Sequence, residues 1–563
     1  MIEGLNPGII LILGALIVPL TSGVVRGVLL LALPVLGMAQ LLSLGLGSWG
    51  QFEIMGMQLT VTHIDPLSRV FGLIFHVAAF AGILYSLHVK DTVQHVATLI
   101  YAGSAIGAVF AGDLITLFAF WEITAVSSVF LIWASRNEQS FKSGIRYLII
   151  QVTSGVVLLG GIALYAADTG SIKFETMEFG SLATWLFLIA FGIKAAFPML
   201  HNWVQDSYPE ATVTGTVILS AFTTKLAIYA LARSFPGTDL LIWIGAVMVI
   251  FPVVHATLEN DLRRTMAYSL NSQQGFMVIA IGIGSELAIN GVAAHATISI
   301  LYTCLMFMVT GAALYRTGTA KVTELGGLYK SMPITSLFAI LGALIIIAAP
   351  LTGAFATKSL ILSAALDEKM ILLWLVMLFG AVAVIDNVGI KIPLFGFFSK
   401  DNGKRFQEAP LHMLLAMAVM AGLGIVIGLS PATFFALLPT PMESHVYTAS
   451  HVVTQLQLIA FAVLIFALAL RTGYYPKMKE SITLDFDWIY RKVGKVALIR
   501  TSSIVSELWN QIKIFGLLFV GWAIAKAEKS HGEGQAMSRT ISSGHAVSVI
   551  LILFAVALVV IYV

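Results

Sequence analysis

Apolar runs of about 20 residues, long enough to cross a bilayer as a helix, recur along the whole chain. They fall at 8–25, 27–48, 66–87, 93–112, 113–135, 144–167, 180–204, 211–233, 238–258, 264–285, 289–315, 333–365, 370–398, 409–438, 453–471 and 544–563. Of 563 residues, 58% are hydrophobic and 11% charged, against about 25% charged in water-soluble domains. The chain reads as a polytopic α-helical membrane protein. Alternating strands are absent, which excludes an outer-membrane barrel.

The same residues exclude several chemistries. One cysteine, Cys304, leaves no basis for iron–sulfur clusters, disulfides or cysteine zinc sites. Neither a Walker-type nor a dinucleotide-type glycine loop is present, so no cofactor is expected, and nothing points to a nucleic-acid partner. The first cation, Arg26, lies beyond the first apolar run, so no cleavable signal is expected. If every run crosses, the odd-numbered loops carry most cations, from Arg26 and Lys90 to Lys404 and Arg405. The even-numbered loops hold only Arg69, Lys173, Arg233 and Lys369. The positive-inside rule then predicts a cell-membrane protein with its N-terminus outside.

Residues 472–543 break the pattern. "DFDWIYRKVGKVALIRTSSIVSELWNQIKIFGLLFVGWAIAKAEKS" mixes cations with apolar positions at helical spacing, and its purely apolar part, Ile514 to Ala525, is short for a span. An amphipathic helix along the cytoplasmic surface or a partner is expected, followed by a flexible loop, "HGEGQAMSRTISSG". The predicted organisation is N-terminal helices (1–92), two successive units (93–235 and 236–400), peripheral helices (401–471), the amphipathic segment (472–543) and a terminal span (544–563).

Ionisable residues stand inside these runs. Glu122 lies near the middle of "LITLFAFWEITAVSSVFLIW" (Leu114–Trp133), Lys194 four residues before Pro198, Lys225 midway along its run, and Lys358 eight residues after Pro350. A charge at bilayer depth costs several kcal/mol unless paired, hydrated or neutralised. Snorkelling to the interface fails for Lys225, more than two helical turns from either end. Proline frees backbone groups, which are tolerated at depth only where protein or water satisfies them, and broken helices beside a charge mark transporter sites. Lys194 is the expected counter-charge to Glu122. Asp386 and Lys391 are secondary candidates for a local pair near a proline-broken helix end. His295 and His255 are candidates to relay protons, equally readable as hydrogen-bonded structural histidines. Intramembrane oxygens do not cluster into a Na+ site.

Together, "WEITAVSSVFLI", "IKAAFPMLHNWVQDSYPEATVTGTVILSAFTTKLAIYALAR", "ENDLRRTMAYSLNSQQGFMVIAIG", "VTELGGLYKSMPIT" and "PLTGAFATKSLI" resemble the antiporter-like membrane proteins. These are shared by respiratory complex I, membrane hydrogenases and Mrp-type Na+/H+ antiporters, and the likeness spans about residues 65–440. The wording of 206–225 and 323–335 is most similar to D-type Mrp subunits. The resemblance implies an all-α fold of fourteen core transmembrane helices in two inverted five-helix repeats, each with a broken helix, plus C-terminal extra helices. It implies that Glu122 is the ion-pair acid, Lys194 the central lysine, Lys225 the bridging lysine, Lys358 the terminal ionisable residue and His295 a histidine on the linking helix. Where the family often has a lysine and a second histidine on that helix, this chain has Thr303 and Ser299. Implied partners are other membrane subunits of a hetero-oligomeric antiporter or complex I-like assembly, with protons and Na+ as the ions.

Overall fold

The computed structural model describes residues 4–54, 56–399, 401, 403–442, 446–476, 479, 484–532 and 542–562. Most of the loop expected at 531–544 lies outside them. The chain divides into two compact units, Met1–Thr483 and Leu484–Val563. Among the described residues, 12 helices are long and apolar enough to cross a membrane by length and composition. Four shorter apolar helices, Pro7–Leu20, Leu182–Lys194, Pro333–Ile346 and Ser543–Val559, accompany them.

One element departs from the all-helical reading. Gly47–Ile54 and Met57–Ile64 form an antiparallel hairpin, paired from Gly47 with Ile64 to Ile54 with Met57. It is docked on the loop before the glutamate helix: Asp113 Oδ2 accepts from Thr60 N at 2.7 Å, and His63 N donates to Phe110 O at 2.7 Å. The strands fall between two apolar runs and are too short for their alternation to stand out.

The first unit is built from a repeated plan. Asp113 and Asp261 each cap the N-terminus of a helix, Leu114–Trp133 and Leu262–Ile283. Each pairs through its backbone, in an isolated antiparallel β-bridge, with a lysine beyond the following helix: Asp113 with Lys173 and Asp261 with Lys321. Those following helices, Glu138–Thr169 and Glu286–Thr317, both stop at a glycine in the left-handed region, Gly170 (φ 67°) and Gly318 (φ 79°). The same order of elements, a capped helix, a long helix and a helix broken at a proline, thus follows each of the two aspartates.

The repeats share a backbone break. In the first, the helix Leu182–Lys194 ends, and a short helix, Asn202–Ser207, begins beyond Pro198. In the second, Pro333–Ile346 ends, and Gly353–Asp367 begins beyond Pro350. Ala196 (φ 60°) and Ala348 (φ 59°) each precede the proline by two residues, and Met199 (φ 70°) and Leu351 (φ 70°) each follow it by one. Phe197 N donates to Gly192 O at 2.9 Å, and Ala349 N to Leu344 O at 3.0 Å, the long bond of a Schellman C-cap. Alanine in this conformation costs about 1–2 kcal/mol, which the surroundings offset. The Trp203 indole donates to Ile193 O (2.9 Å) and the Gln455 amide to Ile347 O (3.0 Å), satisfying carbonyls that the breaks release.

Other expected spans are also subdivided. The run 211–233 becomes Val213–Ala221 and Thr223–Ser234 with a kink at Phe222. The run 370–398 is α-helical over Ile371–Val384, then π-helical over Ile385–Ile390 and Ile392–Phe398. Helices Asp239–Leu258 and Leu262–Ile283 pack backbone to backbone: a Cβ on Gly275 would lie 2.7 Å from Val249 N and 2.8 Å from Gly245 O.

In the second unit, Lys495–His531 is one 37-residue helix with no buried side chain, preceded by a π-helical turn, Ile489–Gly494. At 1.5 Å per residue it is roughly 55 Å long, well beyond the ~30 Å that a span requires. The terminal helix is Ser543–Tyr562.

Candidate ion-translocation site

Glu122 stands nine residues into the glutamate helix, half-buried, and its Oε1 is buried without a hydrogen-bond partner. The carboxylate rests on helix Glu138–Thr169 at Gly155, where a Cβ would overlap Oε1. Its outer side lines a groove of about 440 Å³ with Val93, Val96, Ala97, Ile100 and Val126.

Lys194 is the last residue of its half-helix and fully buried. Its ammonium donates to Trp121 O at 2.7 Å and Thr124 Oγ1 at 3.0 Å, and lies 4.3 Å from the centre of the Trp121 ring. The expected direct pair with Glu122 is therefore not closed in this conformation. The carboxylate lies within electrostatic reach, but the neutral oxygens of the neighbouring residues hold the lysine. The Trp121 indole is fixed by donation to Ser154 Oγ (3.0 Å), whose hydroxyl donates to Ala190 O (2.7 Å).

Lys225 sits three residues past the Phe222 kink, fully buried, its Nζ without a protein partner. Tyr101 stitches the kink: its hydroxyl accepts from Thr223 N at 3.0 Å and lies 2.6 Å from Thr223 Oγ1. The two lysines stand at opposite helix ends, Lys194 where the helix dipole attracts a cation and Lys225 where it repels one.

The linking helix Glu286–Thr317 carries His295, Ser299 and Thr303 at intervals of four, on one face. His295 Nδ1 lies 3.3 Å from Thr357 Oγ1, and the imidazole is within electrostatic reach of both Lys225 and Lys358. Lys358 is 4% exposed, with its ammonium 4.9 Å from the Phe276 ring centre. His295 Nε2, Ser299 Oγ and Thr303 Oγ1 are buried without protein partners, as are the side-chain amides of Gln151, Asn271 and Gln274. Such atoms are uncommon, since about nine in ten buried polar groups in folded proteins find a partner.

The secondary candidates form a separate cluster. Lys391 does not pair with Asp386. It donates to the carbonyls of Ala256 (2.7 Å), Thr257 (3.0 Å) and Glu259 (2.6 Å), capping the end of helix Asp239–Leu258. An ammonium at a helix C-terminus is well placed electrostatically, so the free carbonyls outcompete the acid. Asp386 Oδ1 is buried without a partner. His255 stacks on Tyr268, with ring centres 5.2 Å apart, and its Nδ1 lies 3.3 Å from Phe251 O.

Several residues that matter here carry no charge: Thr124, Ser154, Gly155 and Thr357. One charged residue, Arg263, reads in the sequence as an ordinary loop cation and belongs to the site's framework. It is 3% exposed and donates to Pro209 O (2.7 Å), Tyr208 O (3.1 Å), Ala211 O (2.8 Å), Thr212 O (3.2 Å) and Thr216 Oγ1. It thereby fixes the loop that joins the broken helix to the Lys225 helix.

A model of the family described as NADH:quinone oxidoreductase/Mrp antiporter, transmembrane, matches residues 111–384. The chain is 28% identical over 438 residues to Na+/H+ antiporter subunit A1 of Staphylococcus aureus (strain JH9), covering 68% of this chain and 54% of the relative. It thus spans about half the length of that protein. It is 27% identical over 350 residues to the D-type Na+/H+ antiporter subunit of Alkalihalophilus pseudofirmus, covering 58% of this chain and 71% of the relative. Among solved structures it resembles a chain of the Mrp complex from Dietzia sp. DQ12-45-1b, with a TM-score of 0.76 at 23% identity, covering 99% of this chain and 63% of that one. A chain of the membrane-bound sulfane sulfur reductase, an archaeal respiratory membrane complex, gives 0.72 at 20% identity, with 98% and 99% covered.

Proposed function

Because this chain belongs to the antiporter-like membrane-subunit family, we propose that it is the proton-translocating, D-like subunit of a multi-subunit Na+/H+ antiporter. Protons move along Glu122, Lys194, Lys225, His295 and Lys358, with Ser299 and Thr303 lining the step between the halves. One observation carries the reading: three lysines and a histidine are buried, His295 lies within electrostatic reach of both Lys225 and Lys358, and Lys225 has no protein partner. A buried ammonium is disfavoured by desolvation and favoured by a nearby carboxylate. Approach of Glu122 therefore holds a proton on Lys194, and withdrawal releases it toward Lys225. Across a membrane potential, one charge is worth about 2.3 kcal/mol per 100 mV, a scale that a change in such a pair matches.

The decisive experiment replaces Glu122 with Gln in the assembled complex and measures cation-driven proton exchange in everted vesicles. Exchange is lost while insertion and assembly persist; near-normal exchange removes Glu122 from the mechanism. A second reading has support in the scope of the family description, which also covers NADH:quinone oxidoreductase: a pumping subunit of a redox-driven complex. Copurification with iron–sulfur subunits favours that reading, whereas small membrane partners without redox centres favour the antiporter.

A further inference from the structure

We infer that Thr124 is a positioning residue that holds Lys194 off Glu122, so that its hydroxyl and the Trp121 carbonyl together form the neutral half of the charge switch. This inference rests on the translocation reading above and adds to it the group that competes with the acid.

The geometry is specific. The Thr124 hydroxyl donates its own proton to Trp121 O at 2.6 Å. Its lone pairs therefore face the Lys194 ammonium, which it accepts at 3.0 Å, while Trp121 O accepts the same ammonium at 2.7 Å. Thr124 and Glu122 are two residues apart on one helix, so their side chains leave it about 200° apart. A lysine held by Thr124 is thus turned away from the carboxylate. Two anchors keep the shelf in place. Ser154 fixes the Trp121 ring, and the adjacent Gly155 receives the Glu122 carboxylate on the same neighbouring helix. Among the described residues, Glu122 is the charged side chain within electrostatic reach of Lys194, so the ammonium has two alternatives: a pair of neutral oxygens or one carboxylate. Neutral acceptors hold a cation more weakly than a carboxylate does. A switch with one weak and one strong partner can be reversed by a modest change around the acid, whereas a lysine with the acid alone stays paired.

The test compares Thr124→Val, which keeps the shape and removes the acceptor, with Thr124→Ser, which keeps the acceptor. In vesicles carrying the full assembly, Thr124→Val should slow exchange about tenfold and move its pH profile about one unit alkaline, the equivalent of one hydrogen bond to a charged group. Thr124→Ser should match the unsubstituted protein in both. Equal losses in the two variants with an unmoved profile, or a Thr124→Val protein with unchanged rate and profile, would overturn the inference. A readout independent of transport separates it from the translocation reading. The infrared carboxylate band of Glu122, identified by its loss in Glu122→Gln, should shift in purified Thr124→Val and stay put in Thr124→Ser. A band unmoved in both variants rejects the positioning role even where transport is intact. A shifted band in an assembly without exchange keeps the positioning role and rejects the function.

Discussion

Gly155 lies directly beneath the Glu122 carboxylate, where a Cβ would overlap Oε1. Gly155→Ala should therefore displace the acid without adding or removing a charge. Overpacking costs about 1–3 kcal/mol, or roughly five- to 150-fold in how often the carboxylate occupies its place. Exchange rates in vesicles should fall by that factor at normal expression. Adding Glu122→Asp, one methylene shorter, should recover part of the loss. Unchanged rates in Gly155→Ala would mean that the carboxylate works from another position.

Lys225→Arg tests whether a fixed charge suffices. Arginine retains the charge but does not release its proton in proteins. The variant should assemble and lose proton exchange by at least about a hundredfold, the size of a typical general acid–base contribution. Full activity would count against proton hopping through this position.

Arg263 gathers the acceptors of residues 208–216 on one guanidinium. Arg263→Ala takes the guanidinium donor from the Pro209 and Ala211 carbonyls, at about 1–3 kcal/mol each, and should lower the thermal unfolding temperature of the detergent-solubilised protein. Arg263→Lys should recover little of the loss, because one ammonium cannot reproduce a planar fork of five donors. A lysine variant as stable as the original would show that charge alone holds the loop.

His88, on the loop between helices Pro66–Tyr85 and Thr92–Val109, shares a 2.9 Å hydrogen bond with His412. Burial first, and the neighbouring His412 second, lower its pKa from 6.5 to about 4. The unfolded chain therefore binds a proton between these values that the folded chain refuses, and stability rises with pH across that window. Contact between this loop and helix Leu411–Leu429 should be fully stable above pH 6.5 and weaken progressively toward pH 4. Thermal unfolding measured across that range should show the slope, and His88→Gln should flatten it.

The charges were legible in the sequence because each stands alone in an apolar run. Glu122, Lys194, Lys225 and Lys358 need no neighbours to be noticed, and the structure buries the three lysines among protein side chains. Their partners were not legible. Thr124, Ser154 and Gly155 are ordinary residues in a membrane helix, and their roles depend on which atoms of another helix lie opposite. The pairing of Glu122 with Lys194 was expected from charge alone; the acceptors that hold the lysine instead are a backbone carbonyl and a hydroxyl, which composition does not distinguish. Asp386 and Lys391 failed as a pair for the same reason, since the competing carbonyls of residues 256–259 are silent in a sequence. The prolines announced both helix breaks, but the left-handed alanines that make them did not. The hairpin at 47–64 escaped because hydropathy over a 20-residue window averages two short strands into a linker.

The twin interruptions at Pro198 and Pro350 have a mechanical meaning. An unbroken helix carries a push from one membrane face to the other as a rod does. A helix whose backbone reverses handedness twice within six residues cannot, so torque applied at one end is dissipated at the gap. Motion relayed along the chain between the two faces is therefore left to the helices without a break, such as Glu138–Thr169 and Glu286–Thr317.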